Sequence, residues 1–71
     1  MGSYTPGYRQ IKILRSVVGD GWFRAEQAGD YRACLLLHDR GMLARDKKDA
    51  RRFTPTETGS AWIAAHDGRL A

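Results

Sequence analysis

Five basic side chains fall within eight residues, Arg45, Lys47, Lys48, Arg51 and Arg52, and the chemistry open to them is contact with anions. Lys and Arg that neutralise phosphates release condensed counterions, which gives affinity for a nucleic-acid backbone without reading its sequence. Asp46 and Asp49 are interspersed, so this stretch carries +3 of the net +4 of the chain and the remainder is almost neutral. The competing reading of the same residues is a solvated tip or a protein-contacting hairpin. Tyr31 and Arg32 form a second candidate pair, because arginine is the best major-groove reader of guanine. Trp22, next to Gly21, is a candidate partner-interface residue, since tryptophan is enriched among interface anchors.

Other chemistries find no constellation. The single cysteine, Cys34, excludes an internal disulfide and reads as a small apolar core residue. His38 and His66 fall on different helices with no second ligand at a recognisable spacing, so neither a metal nor another cofactor is expected. Ser16, Ser60 and the threonines assemble no nucleophile and base, and no glycine-rich phosphate cradle is present; an enzyme is not expected. No apolar run approaches the roughly 20 residues that cross a bilayer, and the first residues lack the basic-then-apolar order of a secretory signal. The expectation is a soluble cytoplasmic protein without a membrane partner.

With 71 residues there is room for one domain and one small core. Residues 1–7 read as a flexible lead-in, 8–66 as the domain and 67–71 as a tail. Tyr8, Ile11, Leu14 and Val18 recur at helical spacing, widened by Ile13 and Val17, and Gly19-Asp20-Gly21 stops the pattern. Trp22-Phe23-Arg24 suits a minimal strand. Ala25 to Ala28 is long enough for one helical turn, closed by Gly29. Asp30 is a good N-cap for a helix from Tyr31 to Arg40, with Ala33, Cys34, Leu36 and Leu37 toward the core. Gly41 supplies a left-handed stop. Met42 to Arg45 and Ala50 to Thr54 then read as strands around the basic tip, with Leu43 and Phe53 on the core face and the Arg and Lys side chains in water. Thr56 caps a last helix to about Ala65, which brings Trp62 back onto the first.

Helix end, strand, basic hairpin, strand and new helix is the order of a winged helix. The fold class expected is therefore α+β and mainly helical, with three to four helices and a two- to three-stranded β-wing. Leu36-Leu37-His38-Asp39-Arg40-Gly41-Met42-Leu43 resembles the end of the recognition helix in small winged helix-turn-helix domains of bacterial and phage regulators, of the MarR, PadR and ArsR kind. Ala44-Arg45-Asp46 with Arg51-Arg52-Phe53 resembles their wing, and Phe53-Thr54-Pro55-Thr56-Glu57-Thr58-Gly59 is similar to their signature after it.

The resemblance implies a small DNA-binding protein, a transcriptional regulator or accessory factor. Its wing would lie on the backbone of duplex DNA, with Tyr31 and Arg32 in the major groove, and a site-specific version would have to form a homodimer. The sequence departs from those regulators where a full helix should precede the recognition helix, since about five residues, Ala25 to Gly29, stand there. That departure supports an alternative: a protein-interaction module on a winged-helix scaffold, such as a phage-encoded inhibitor of a host protein or nucleoprotein complex, of the anti-CRISPR kind.

Overall fold

Gly21 and Gly41 take φ of 86° and 76°, the left-handed region that glycine enters without a Cβ clash, and each closes a helix. The computed structural model describes residues 6–70. Helix α1 (Tyr8–Asp20) leads to a two-residue strand β1 (Phe23–Arg24), and helix α2 (Ala28–Asp39) follows. The hairpin strands β2 (Leu43–Arg45) and β3 (Arg52–Pro55) come next, then helix α3 (Glu57–Leu70). The strands make one antiparallel sheet in the order β1-β3-β2, and the fold is winged-helix-like. Of the expected lead-in, residues 1–5 lie outside the described residues, as does Ala71 of the expected tail.

The central strand holds the core together. Phe53 is fully buried, with Phe23 of β1 opposite it on one side and Arg45 of β2 on the other. Leu43 lies on the same face as Phe53, as the period of two requires. Against these pack Ile13, Leu14 and Val17 of α1, Ala33, Cys34 and Leu37 of α2, and Ile63 of α3. Trp62 is half-buried at the edge of the cluster.

Five expectations are corrected by the structure. No helical turn forms at Ala25 to Ala28: the Ala25 amide donates to the Arg51 carbonyl at 2.8 Å, extending the β1–β3 pairing, and Ala28 and Gly29 are already in α2. Asp30 consequently is no N-cap; Gln27 holds that position in extended geometry, and Asp30 sits in the first turn, 3.5 Å from Arg9. Leu36 is 45% exposed, because Ala33, Cys34 and Leu37 define the buried face of α2 and Leu36 shares the opposite side with Arg32 and Arg40. Tyr8 is 82% exposed at the first position of α1, ahead of the part that crosses the core, so Ile13, Leu14 and Val17 form the centre of that stripe. Helix α3 continues past Ala65 to Leu70, which makes Asp67 a helical residue paired with Arg15 at 2.5 Å.

The helix stop, the base of the hairpin and the start of α3 meet at one junction. The Gly41 amide donates to the His38 carbonyl (2.9 Å) and the Met42 amide to the Leu37 carbonyl (3.0 Å), a Schellman closure of α2. Thr56 Oγ1 donates to the Gly41 carbonyl at 2.6 Å and accepts the Gly59 amide at 3.0 Å, so the expected cap of α3 also grips the end of α2. Gly59 is buried flush against Met42: a Cβ there would lie 2.9 Å from the Met42 carbonyl carbon, closer still to its oxygen, and 3.2 Å from Leu14 Cδ1. The Gly59→Ala protein is expected to lose about 2 kcal/mol or more of stability, since backbone must move to admit the methyl group. Urea denaturation checks this: an unchanged midpoint would show that α3 can slide away from Met42 freely.

Candidate nucleic-acid interface

The two acidic residues of the hairpin shape its tip. Asp46 Oδ2 accepts the amides of Lys48 (3.2 Å) and Asp49 (2.8 Å), and Asp49 Oδ1 accepts the Arg51 amide (3.0 Å), so both carboxylates fold the turn around themselves. Asp49 Oδ2 in addition accepts Arg24 Nε at 2.8 Å, and Arg24 Nη1 donates to Glu26 at 2.8 Å. The Arg24 hydrogen bond, helped by the Arg51 amide, holds the Asp49 carboxyl below the usual carboxylate range. The Arg24 guanidinium is raised by its bonds to Asp49 and Glu26.

With the acids so engaged, the hairpin's basic groups divide over two flanks and the tip. On the flank toward α2, Arg45 Nε donates to the Ala50 carbonyl at 3.1 Å and its Nη2 to the Tyr31 hydroxyl. The Arg45 and Arg51 guanidinium carbons lie 5.7 and 6.0 Å from the centre of the Tyr31 ring, and Arg51 Nη1 donates to the Glu26 carbonyl at 3.4 Å. Neither arginine has an ion-pair partner among the described residues. Arg45 is exposed, as expected, although its register places it opposite Phe53; its side chain reaches water at the rim beside Tyr31. On the other flank the Arg52 guanidinium lies 4.9 Å from the centre of the Trp22 ring, which is 47% exposed. Lys47 and Lys48 are exposed at the tip.

The structure thus brings Tyr31, Arg45 and Arg51 together and joins Arg52 to Trp22. It separates Arg32, which turns to the α1 side of α2 and lines a shallow cleft with Gly7, Arg9 and Leu36. Arg24 was missed as a site residue. The signal was the alternation in Trp22-Phe23-Arg24: with Phe23 inward, Trp22 and Arg24 must share the outward face.

Tyr31 and His38, on α2, both reach the hairpin. Their rings lie 6.2 and 6.5 Å from that of Phe53, and His38 Nδ1 donates to the Leu43 carbonyl at 2.9 Å. These contacts fix the angle between α2 and the wing. His66 stacks on Trp62 with centroids 5.0 Å apart. Cys34 is buried, and burial with the nearby Asp30 charge pushes its thiol up to about 12, so it stays protonated and unreactive. Among the described residues no helix is long and apolar enough to cross a membrane. Comparisons with protein-family models, curated proteins and solved structures return no match.

The Asp49 pairing has a pH consequence. Its carboxyl is depressed in the folded chain, so the contribution to stability is complete above the unfolded value of about 3.9 and is lost as pH falls through the folded one. Thermal melts of the wild type and Asp49→Asn should differ at neutral pH, wild type being the more stable, and converge as pH drops below about 4. A gap that stays constant in acid would mean that the carboxylate charge contributes nothing to the tip.

Proposed function

We propose that this chain is a small winged-helix protein that binds nucleic acid through its hairpin, gripping the phosphate backbone of duplex DNA. One observation carries the reading: Arg45 and Arg51 both lie against Tyr31, and neither has an ion-pair partner among the described residues although the hairpin contains two carboxylates. Two guanidiniums beside one phenol, neither with an ion-pair partner among the described residues, are suited to give a phosphate charge-assisted hydrogen bonds. Lys47 and Lys48 extend the same positive surface along the tip. A regulator or accessory factor of the MarR, PadR and ArsR kind, bacterial or phage, is the biological role that this chemistry and the order of elements support.

If three to five of the basic residues meet phosphates, log affinity should fall with log salt at a slope of roughly −3 to −5 per subunit. Fluorescence anisotropy of a labelled random duplex measures it. The triple variant Lys47→Glu/Lys48→Glu/Arg51→Glu, which spares the Arg45 contact with Tyr31, should lose at least about tenfold in affinity at low salt. A flat salt response, or a variant that binds as well as the wild type, would remove the proposal.

A second reading is favoured by the face of α2 that carries Leu36. No helix stands between β1 and α2 to cross a DNA backbone, and a 45% exposed leucine occupies the middle of the helix that would enter a groove. In that reading the fold docks a host protein through this face, as an inhibitor would. Leu36→Asp should then abolish a complex recovered from nuclease-treated host lysate while leaving anisotropy on DNA unchanged; a complex indifferent to Leu36 would count against that face.

A further inference from the structure

The outward face of the sheet has a different chemistry from the flank that meets α2. Because Phe23 and Phe53 point into the core, their neighbours Trp22, Arg24 and Arg52 point out. Arg24 and Arg52 stand directly opposite each other in the ladder, an arrangement of like charges that ordinarily destabilises a sheet. Arg24 is offset by Asp49 and Glu26. Arg52 is within ion-pair distance of no carboxylate among the described residues and rests against the indole instead. The next outward pair is Ala44 and Thr54, both small, so the face carries the Trp22 ring with the Arg52 guanidinium over it, and across the ladder Arg24 held by Asp49 and Glu26.

A large aromatic ring flanked by a guanidinium that has no carboxylate within ion-pair distance, Asp49 acting on it only from farther off, is suited to stack a base and hold the phosphate attached to it. Continuous duplex cannot use such a ring, since its bases are already stacked on each other and offer only phosphates to a wing. We propose that the outward sheet face stacks an unpaired nucleic-acid base on Trp22, with Arg52 taking the adjoining phosphate, so that the preferred ligand carries a single-stranded segment. The inference rests on the nucleic-acid reading above and specifies its ligand. Stacking of this kind tolerates any base, because every base has a π-face.

The chain has two tryptophans, and Trp62→Phe leaves Trp22 as the sole indole reporter. That protein is titrated with oligothymidylate of about 12 nucleotides and with a duplex of the same length, reading probe anisotropy and tryptophan emission together. The single strand should bind more tightly than the duplex and quench the emission. Adding Trp22→Ala should weaken the single strand about tenfold and the duplex by less than about twofold, whereas Trp22→Phe should retain most of the affinity. Far-UV circular dichroism verifies that each variant is folded. Duplex binding that depends on Lys47, Lys48 and Arg51, with no quenching and no Trp22 dependence on the single strand, would overturn this proposal and leave the backbone reading standing. Failure of both probes to bind at low salt would overturn both. Equal quenching by an acidic peptide would also overturn it, by showing that the face selects charge and not bases.

Discussion

The hydroxyl of Thr56 is bonded at once to the Gly41 carbonyl at one helix stop and to the Gly59 amide in the first turn of the next helix, and the geometry of the hairpin depends on that double contact. Its donor side fixes Gly41, just past the end of α2, and its acceptor side fixes Gly59, in the first turn of α3. Between those two points the chain must run out through β2 and return through β3. The span of the wing is therefore anchored at both feet to one side chain. Gly59 completes the lock by lying flush on the Met42 backbone. A small core of this kind has little apolar area to spare, and a polar contact with three backbone partners, the Thr56 amide to Met42 included, supplies the definition that bulk cannot.

Charge is distributed in the hairpin by a division of labour. Asp46 and Asp49 both accept turn amides, and Asp49 also accepts from Arg24. Arginines 45, 51 and 52 take neutral or aromatic partners. Net charge alone conceals this, because it counts a carboxylate equally whether it neutralises a neighbouring cation or caps a loop. The exposed ion pairs themselves are worth little in stability; their importance is in deciding which cations are left without an ion-pair partner among the described residues.

Much of the fold was legible in the sequence, and the reasons are local. A glycine at 41 followed by an apolar pair, and Thr56 three residues before Gly59, are signals whose physics is contained in a few residues, and both features formed where the sequence put them. The failures arose where a distant strand overrode a local preference. Asp30 is a better cap than Gln27 on propensity, yet α2 starts early because Ala25 is claimed by the Arg51 carbonyl and the chain must turn immediately afterwards. Leu36 was misassigned because three consecutive leucines cannot all face inward from one helix, and periodicity does not say which is left out. In the candidate site, the five basic residues were visible as a cluster, but their division between two flanks was not. That division follows from the register of Arg45 and Arg52 against Phe53 and its neighbours, which only the paired sheet defines.

The sheet is closed off by its own brevity. Its two edges are β1, of two residues, and β2, of three, while the longest strand, β3, is held in the middle. An edge so short presents too few unpaired amides and carbonyls to template another chain, which is one of the ways proteins avoid edge-to-edge aggregation. Two copies of this domain therefore have little to gain by joining their sheets into a continuous ribbon. Any pairing of two copies would have to use a surface other than the edges of this sheet.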